Sequence, residues 1–555
     1  MRSQFAWKGD SLRVTIIVAG FLLSSVITQA QSADAALQIG LQGIRAQSIR
    51  ASMEFLADDL MEGREAGTRG YDVAAAYVAS QFEKYGLQPG LKDSYYQTVP
   101  FRRGLNVNEE CSMAIYRGPA KQSLVYGKDY YLSPNLVRAD TSVEAEAVFV
   151  GFGVTAPELG RDDYAGVDVR GKLAVMIKGG PSSFPNDQRA YYSSGFVKAS
   201  NAAAHGAIGI ISVRLPSDEK RASWQRITSR LNETAMHWVH KDEIGGTVPE
   251  IKVQAGVSSS VAAKIFAGSG ESAGKVLRRA ESGQTRSFPL KGRFRIHQRT
   301  RLDTVPSRNV VALLRGSDPR LSDEYVVFTA HLDHEGMDVP EKGDRVFNGA
   351  FDNASGIAAM LEVARALQSL PVRSARSLLF IALTGEEKGL QGADFFAKYP
   401  TVPIEQIVAD VNLDMFVALF PITDVVAFGA GHSTLGKVVE DAAKKVGWKL
   451  SEDPWPEEVI FIRSDQYPFV RQRVPSVFIV NGQKSGDPSV DGEKVIRTWM
   501  RDVYHTRRDD LSQNIEYDSL VKFARLNLLI GWDIAQNPER PAWNEGNFFG
   551  KDLPF

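Results

Sequence analysis

The sequence has almost no cysteine and almost no surplus of charge. Cys111 is the only cysteine among 555 residues, so the chain cannot form an internal disulfide, and its stability must come from a large core or bound metal. The 65 basic and 66 acidic residues give a net charge of −1, which provides neither the basic surplus typical of nucleic-acid binding nor an acidic tail. The length predicts two or three domains, and we expect no nucleic-acid partner.

Long apolar runs are also missing, apart from one near the N-terminus. Residues 14–27 are largely apolar, follow three basic residues and end in small residues at Ala30. This order predicts a secretory signal peptide over 1–30, because the run is shorter than the roughly 20 residues of a membrane span. An uncleaved anchor is the alternative. We therefore expect an exported protein, periplasmic or secreted, with no membrane contact after signal cleavage.

The remaining sequence divides into regions of different texture. Residues 31–130 begin with two predicted helices over 46–86, which a glycine-rich turn separates. Residues 131–300 contain short β-rich runs between turns and predict a compact module. Over 301–540, near-continuous apolar strands alternate with helices, which predicts an α/β fold with a mostly parallel mixed sheet and helices on both faces. Residues 541–555 form a C-terminal tail.

Ionisable residues follow the ends of three predicted strands in the 301–540 region. The carboxyl ends of parallel strands share one sheet edge, where ligands of open α/β sheets bind, so we expect these side chains to lie together. Another carboxylate precedes a predicted helix, and a histidine lies ahead of the last one. The residues are His331, Asp333, Asp352, Glu386, Glu387, Asp414 and His505.

This set predicts a metal site. Carboxylates at 352, 386, 387 and 414 would repel one another strongly if they were gathered without cations. Nitrogen and oxygen ligands without thiolate suit Zn²⁺, with Mn²⁺ or Co²⁺ as other possibilities. Five ligands are too few for two closed sites but enough for two metals that share a bridging carboxylate, as in two-metal hydrolases. Taken singly, each residue has an ordinary structural interpretation: Asp352, for example, is a plausible helix N-cap.

The motifs around these residues resemble those of the M28 family of zinc aminopeptidases. The resemblance rests on TAHLDH (329–334), NGAFDNASG (348–356), TGEE (384–387), NLD (412–414) and YHT (504–506). EGR at 62–64 resembles the family's N-terminal part. The module over 131–300 resembles a protease-associated (PA) domain through VGFG at 150–153 and DYAGVDVRGK at 163–172. The resemblance implies the zinc exopeptidase fold, with 31–130 as the N-terminal part of the peptidase domain and 301–540 as its catalytic part.

The resemblance also implies a function and a set of roles. The protein would be a dinuclear zinc aminopeptidase that removes N-terminal residues from peptides with a free N-terminus. The implied roles are His331 and Asp414 as ligands of one Zn²⁺, Glu387 and His505 as ligands of the other, Asp352 as the bridge, Glu386 as the general base for the bridging water, Tyr504 as the oxyanion donor, and Asp333 as the residue that orients His331.

Two positions depart from the family pattern. Phe351 stands where the family often has a second aspartate, and Gln466 where it often has a histidine, which bears on substrate preference rather than on metal binding. His334 is interpreted as a structural residue by default, with a place at the rim of the site as the alternative. Alternative functions on the same fold are a zinc carboxypeptidase, an N-terminal glutamine cyclase or a non-catalytic binding ectodomain. No pattern in the sequence specifies an oligomeric state.

Overall fold

The computed structural model describes residues 35–338 and 343–553. The predicted signal peptide over 1–30 and its cleavage site lie outside the described residues. Within these ranges, the α-helices of at least five residues are 35–43, Ala46–Leu56, Arg69–Tyr85, Asn186–Ser193, Gly195–Ala204, Pro216–Arg221, Trp224–Thr228, Ala262–Phe266, Ala273–Glu281, Ser355–Gln368, Gln391–Lys398, Leu435–Lys445, Gln466–Arg471, Gly492–Asp502 and Tyr517–Gln536.

A mixed sheet forms the centre of the C-terminal region. Four neighbouring strands run parallel, in the spatial order Ser377–Leu383, Tyr325–His331, Ile407–Asn412 and Ser476–Asn481. Antiparallel strands flank them on both sides, with Phe288–Leu314 at one side and Asp424–Phe428 at the other. Lys449–Ser451 then pairs in parallel with Asp424–Phe428. The sheet is therefore mostly parallel, and the carboxyl ends of its central strands meet at one edge.

Helices cover both faces of this sheet. Successive side chains of a strand point to opposite faces, so Phe328 contacts one helical layer and Val327 the other. The first layer consists of Ala46–Leu56, Arg69–Tyr85, Ser355–Gln368 and Tyr517–Gln536, and the second includes Gln391–Lys398 and Gln466–Arg471. The burial on both faces explains the near-continuous apolar strands.

A second sheet lies between the N-terminal helices and the central sheet in chain order. Four of its strands are parallel, in the order Asp140–Phe149, Leu173–Ile177, Gly209–Val213 and Val253–Val257. Antiparallel strands extend it: Ser112–Arg117, Ala120–Leu124, Tyr130–Leu132 and the first half of Phe288–Leu314. With the helices Gly195–Ala204 and Ala273–Glu281 beside it, this region is a mixed α/β module rather than a purely β one. We call residues 112–299 the inserted module.

One long strand joins the two sheets. Phe288–Leu314 pairs with Asp140–Phe149 in the inserted module, then with Tyr96–Asn106, and finally with Ser377–Leu383 in the central sheet. The sequence predicts only its last part, 309–314, as a strand. Its earlier part alternates buried and exposed residues instead of forming an apolar run. The inserted module is thus linked to the central sheet by continuous backbone pairing.

The remaining short strands are Gln88–Pro89, Thr155–Ala156, Arg161–Asp162, Ala235–His240 and Glu243–Ile244. Ala235–His240 leaves the module and pairs with Tyr96–Asn106. Cys111 is a buried free thiol, as expected for a small apolar residue. Over the described ranges, no helix has the combined length and apolar character needed to cross a bilayer.

We predict that Gly531→Ala destabilises the protein. A Cβ at Gly531 would lie 2.0 Å from Phe328 Cζ, because the helix Tyr517–Gln536 packs closely on the sheet there. Overpacking of this kind costs about 1–3 kcal/mol, which exceeds the gain of about 1 kcal/mol in helix propensity. The matched control is Gly274→Ala in the helix Ala273–Glu281, where the nearest atom is Arg278 Nη1 at 3.4 Å. Urea denaturation should show a lower midpoint for the first variant only, and equal midpoints would contradict the close packing.

Candidate metal centre

Asp352 lies at the centre of the site and faces two histidines with its two carboxylate oxygens. Its Oδ1 is 3.2 Å from His331 Nε2, and its Oδ2 is 3.2 Å from His505 Nε2. The side chain is almost fully buried. It sits in the turn Ala350–Ala354, directly before the helix Ser355–Gln368, so the chain direction changes at this residue. One carboxylate is thus placed between two imidazoles.

Each of the two histidines also lies close to a second carboxylate. His331 Nε2 is 3.0 Å from Asp414 Oδ1, and His505 Nε2 is 3.2 Å from Glu387 Oε2. His331, Asp352 and Asp414 offer ligand atoms that all lie within 4.8 Å of one another. All five sequence-predicted ligand residues therefore converge on one point at the edge of the central sheet.

His334 and Glu335 extend this cluster. His334 Nδ1 lies 2.8 Å from Glu387 Oε1 and 3.9 Å from Asp352 Oδ2, and His334, Asp352 and Glu387 form a second group of close ligand atoms. Glu335, Glu387 and His505 form a third. His334 is fully buried rather than at the rim, and its contact with Glu387 was not predicted. Its place directly after the His331–Asp333 pair was the signal that could have shown it.

Glu386 belongs to none of these three groups among the described residues. It lies in a turn where its carbonyl accepts hydrogen bonds from the amides of Gly389 and Leu390. Gly385 precedes it with a φ of +68°, a conformation that favours glycine. Two adjacent glutamates thus have different surroundings: Glu387 reaches the histidines, and Glu386 does not.

Asp333 holds this turn through its carboxylate. The amide of Glu386 donates to Asp333 Oδ1 at 3.1 Å, and the amide of Glu387 donates to Oδ2 at 3.3 Å. His331 Nδ1 instead meets the backbone carbonyl of Asp333 at 3.1 Å. The sequence predicted that Asp333 orients His331, and in the structure this contact is made by its main chain. The side chain positions the pair of glutamates.

Tyr504 packs against the second histidine. The rings of Tyr504 and His505 have centroids 3.9 Å apart at an angle of 38°. Burial raises the pKa of the Tyr504 hydroxyl well above its usual value, and Asp352 and Glu387 add to the shift. The hydroxyl therefore keeps its proton and is a hydrogen-bond donor at neutral pH.

Arg64 connects the loops that carry the predicted ligands. Its Nε donates to Leu332 O at 2.9 Å, its Nη1 donates to Asn348 O at 2.6 Å, and its Nη2 donates to Gly349 O at 3.1 Å. It also donates to Leu56 O. Its side chain is almost fully buried, and burial lowers its pKa to about 10. This residue of the EGR motif thus ties the His331 loop to the segment before Asp352.

Further polar residues support the ligands from behind. The backbone amide of Asp352 donates to Asp509 Oδ2 at 3.0 Å, and that of Phe351 to Oδ1 at 3.0 Å. Ser464 Oγ donates to Asp414. Phe351 packs on Trp499 with ring centroids 6.0 Å apart.

Gln466 lies one layer further out. Its Oε1 accepts a hydrogen bond from Asn412 Nδ2 at 3.0 Å, and the same Nδ2 donates to Ser464 Oγ at 2.7 Å. Phe351 and Gln466, the two departures from the family pattern, are therefore neighbours of the cluster whose side chains pack on Trp499 and accept from Asn412, respectively.

The electrostatics of the site reflect concentrated negative charge. Burial alone would lower the pKa of His331, but Asp414 and Asp352 raise it well above its usual value. Burial raises the pKa of Glu386 well above its usual range, and Glu387 and Asp414 add to this shift. Burial likewise raises the pKa of Asp333 to about 6. Burial and the neighbouring carboxylates together raise these pKa values, and both effects favour bound positive charge, whether protons or metal ions.

The residues present fit a pair of zinc ions. Imidazole nitrogens and carboxylate oxygens without thiolate are suitable zinc ligands. The two oxygens of Asp352 face different histidines, which is the arrangement that a bridging carboxylate requires. His331 and Asp414 would hold one ion with Asp352, and Glu387 and His505 would hold the other.

Comparisons with known proteins agree with this chemistry. Residues 309–530 match Peptidase family M28. A probable zinc metalloprotease of Pyrenophora tritici-repentis is 26% identical over 266 residues, which cover 42% of this chain and 58% of that protein. Aminopeptidase NAALADL1 of Mus musculus is 31% identical over 137 residues, 24% of this chain and 16% of that protein. This chain spans about half the length of each of three probable zinc metalloproteases that it matches.

A solved structure extends the similarity over nearly the whole chain. The aminopeptidase from Aneurinibacillus sp. strain AM-1 superposes with a TM-score of 0.53 at 20% identity, covering 91% of this chain and 97% of that one. This similarity shows a shared fold, and at 91% coverage of this chain it includes the inserted module.

We predict that Arg64→Ala destabilises the site region. The substitution removes the Arg64 donor from buried carbonyls of two loops and of the end of the helix Ala46–Leu56, and each unsatisfied buried group costs about 1–3 kcal/mol. We expect the free energy of unfolding to fall by about 3 kcal/mol or more, measured by chemical denaturation. The control is Arg69→Ala, which removes an exposed 2.9 Å pair with Glu62 and should cost less than about 1 kcal/mol. Equal losses for the two variants would refute the bracing role of Arg64.

Proposed function

This chain carries a peptidase family M28 domain over residues 309–530, and on that premise we propose that it is a dinuclear zinc aminopeptidase. Two Zn²⁺ ions per chain are its cofactors, and Mn²⁺ or Co²⁺ are possible substitutes. The observation that carries the proposal is the position of Asp352, whose two oxygens each lie 3.2 Å from a different histidine. A single-metal site needs one set of ligand residues, whereas Asp352 belongs to two such sets. The substrates are peptides with a free N-terminus.

Zinc in such a site supplies Lewis acidity, which polarises a scissile carbonyl and makes a water molecule acidic near neutral pH. The protein's own groups handle the proton. Glu386 takes it from the attacking water and returns it to the amine that leaves. Its separation from the three groups of close ligand atoms supports this role, because a general base must keep a carboxylate free of metal. Asp333 positions Glu386 by accepting the hydrogen bond from its amide.

Tyr504 stabilises the developing charge on the carbonyl oxygen. Its raised pKa keeps the hydroxyl protonated, so it can donate a hydrogen bond to an oxyanion. Its ring packs at an angle of 38° against His505, and its pKa responds to Asp352 and Glu387, which supports a place for the hydroxyl group close to the cluster. The donor is therefore positioned before substrate binds.

Selectivity for the N-terminus follows from charge. The cluster contains more carboxylates than histidines, and a carboxylate that binds no zinc can pair with the positively charged α-amine of a peptide. This favours cleavage from the N-terminal end over cleavage from the C-terminal end.

The remaining parts of the proposal concern the whole chain. We propose that the protein is exported through the predicted signal peptide and acts in the periplasm or outside the cell. The inserted module as a PA domain stays a prediction from its VGFG and DYAGVDVRGK motifs. The division at residues 130, 300 and 540 likewise remains a prediction.

We expect the purified protein to hydrolyse a free-amine peptide and not its N-acetylated form. Treatment with a chelator should abolish turnover, and addition of about two equivalents of Zn²⁺ should restore it. Release of the first residue can be followed by mass spectrometry. Turnover that survives complete metal removal would rule the proposal out. Cleavage of the acetylated peptide from its C-terminus would assign a carboxypeptidase instead, and cyclisation of an N-terminal glutamine would assign a cyclase.

We predict that Glu386→Ala lowers kcat by a factor of about 10²–10⁴ or more while both zinc ions stay bound, because a general base contributes rate rather than metal affinity. The matched variant is its neighbour Glu387→Ala, which should lose zinc as well as activity. Metal content by elemental analysis and kcat by peptide assay distinguish the two. Near-wild-type turnover in Glu386→Ala would refute its assignment as the base.

A further inference from the structure

Glu335 lies on the outer side of the His505 ring. Its Oε1 is 3.0 Å from His505 Nδ1, whereas Asp352 Oδ2 and Glu387 Oε2 are each 3.2 Å from Nε2. The two nitrogens of an imidazole point in different directions, so a metal at Nε2 leaves Nδ1 free to donate its proton to Glu335. This arrangement is that of an outer carboxylate that orients a ligand histidine.

The two predicted ligand histidines differ in this outer partner. His331 Nδ1 meets the backbone carbonyl of Asp333 at 3.1 Å, and His505 Nδ1 meets the charged Glu335. A carboxylate makes the opposite ring nitrogen a stronger base than a neutral carbonyl does. The metal affinity of His505 therefore depends on where Glu335 is held and on how its charge is balanced.

Arg230 holds Glu335 and comes from the inserted module. Its Nη2 pairs with Glu335 Oε1, the same oxygen that meets His505, and its Nε lies 2.9 Å from Glu233 Oε1. The Glu335 side chain is only 7% exposed, and that of Arg230 is 41% exposed. A buried carboxylate without a cationic partner is costly, so this pair matters more than a surface pair would.

A neighbouring contact shows that this part of the module lies against the metal centre. Arg226 Nη2 donates to the carbonyl of Tyr504 at 3.4 Å, one residue before His505. Arg226 lies in the short helix Trp224–Thr228, and Arg230 follows that helix by two residues. The segment 224–233 of the inserted module therefore borders the loop that carries Tyr504 and His505.

We infer that Glu335 is a positioning residue for His505 and that Arg230 acts through Glu335. The inserted module thereby helps to set the zinc affinity of the second metal position. This inference rests on the proposed function, since it requires that His505 binds zinc. Glu335 also lies close enough to Glu387 and His505 to be considered as a ligand itself. Its approach to Nδ1 rather than Nε2 favours the positioning role.

The experiment measures zinc affinity directly, in the full-length protein, by competition with a chromophoric chelator. Arg230→Ala and Glu335→Ala are compared with wild type, and thermal melting confirms that each is folded. The matched control is Arg221→Ala, which also breaks an ion pair between the inserted module and the C-terminal region, 3.5 Å to Glu458, but touches no predicted ligand. Arg230→Lys keeps a cation beside Glu335 and serves as the rescue.

We expect the dissociation constant of the second zinc to rise by about 10–100-fold in Glu335→Ala and about tenfold in Arg230→Ala, as is usual for outer partners of ligand histidines. The first zinc should be unaffected, Arg221→Ala should match wild type, and Arg230→Lys should recover most of the affinity. Because Arg230 acts through Glu335, the double variant should lose no more than Glu335→Ala alone.

Other results overturn the inference. The inference is wrong if Arg230→Ala and Glu335→Ala both bind zinc with wild-type affinity. It is also wrong if the losses of zinc affinity in the two single variants add up in the double variant. Loss of the second zinc in Glu335→Ala with no change in Arg230→Ala would make Glu335 a direct ligand. If the wild type binds two zinc ions and cleaves peptides but every variant behaves like the wild type, only this inference is refuted. A wild type with no second zinc would refute the proposed function as well.

Discussion

The site is built around a buried concentration of negative charge. Asp352, Glu387 and Asp414 converge on histidines at one sheet edge, within a few ångströms of one another. Such an arrangement is unstable in a low-dielectric interior unless cations offset it. The neighbouring carboxylates raise the pKa of His331, and burial, with Glu387 and Asp414 adding to it, raises the pKa of Glu386. In the proposed function, metal binding, base catalysis and recognition of a free α-amine would each use different carboxylates of this cluster.

The fold supplies the framework that holds these charges together. His331 lies opposite Leu383 on the adjacent parallel strand. Glu386 and Glu387 follow Leu383 within a few residues, so the sheet brings them close to His331. The other groups lie on loops and turns, which need bracing from elsewhere. Arg64 provides it from the N-terminal part of the chain through four backbone carbonyls. Asp333 and Asp509 provide it through backbone amides of the Glu386 turn and the Asp352 turn.

Much of the C-terminal fold was predictable from the sequence, because buried strands flanked by helices leave a clear apolar pattern. Residues that follow such strands, including His331 and Asp414, could be placed at one edge for the same reason. Contacts between distant segments left no pattern: Arg230 reaches Glu335 across 105 positions, and no spacing rule connects them. The early part of Phe288–Leu314 was missed because its alternating burial resembles a surface segment. Asp333 was predicted to orient His331 through its carboxylate, but it contacts His331 through its backbone carbonyl. No sequence pattern reveals such a backbone contact.

The central claim is that Asp352 bridges two zinc ions between His331 and His505. An anomalous difference map of zinc-loaded crystals, recorded on both sides of the zinc absorption edge, tests it most directly. The account predicts two strong peaks about 3.5–4 Å apart, one beside each oxygen of Asp352, with the Glu386 carboxylate next to neither as a ligand. A single peak, or two peaks that do not share Asp352, would contradict it.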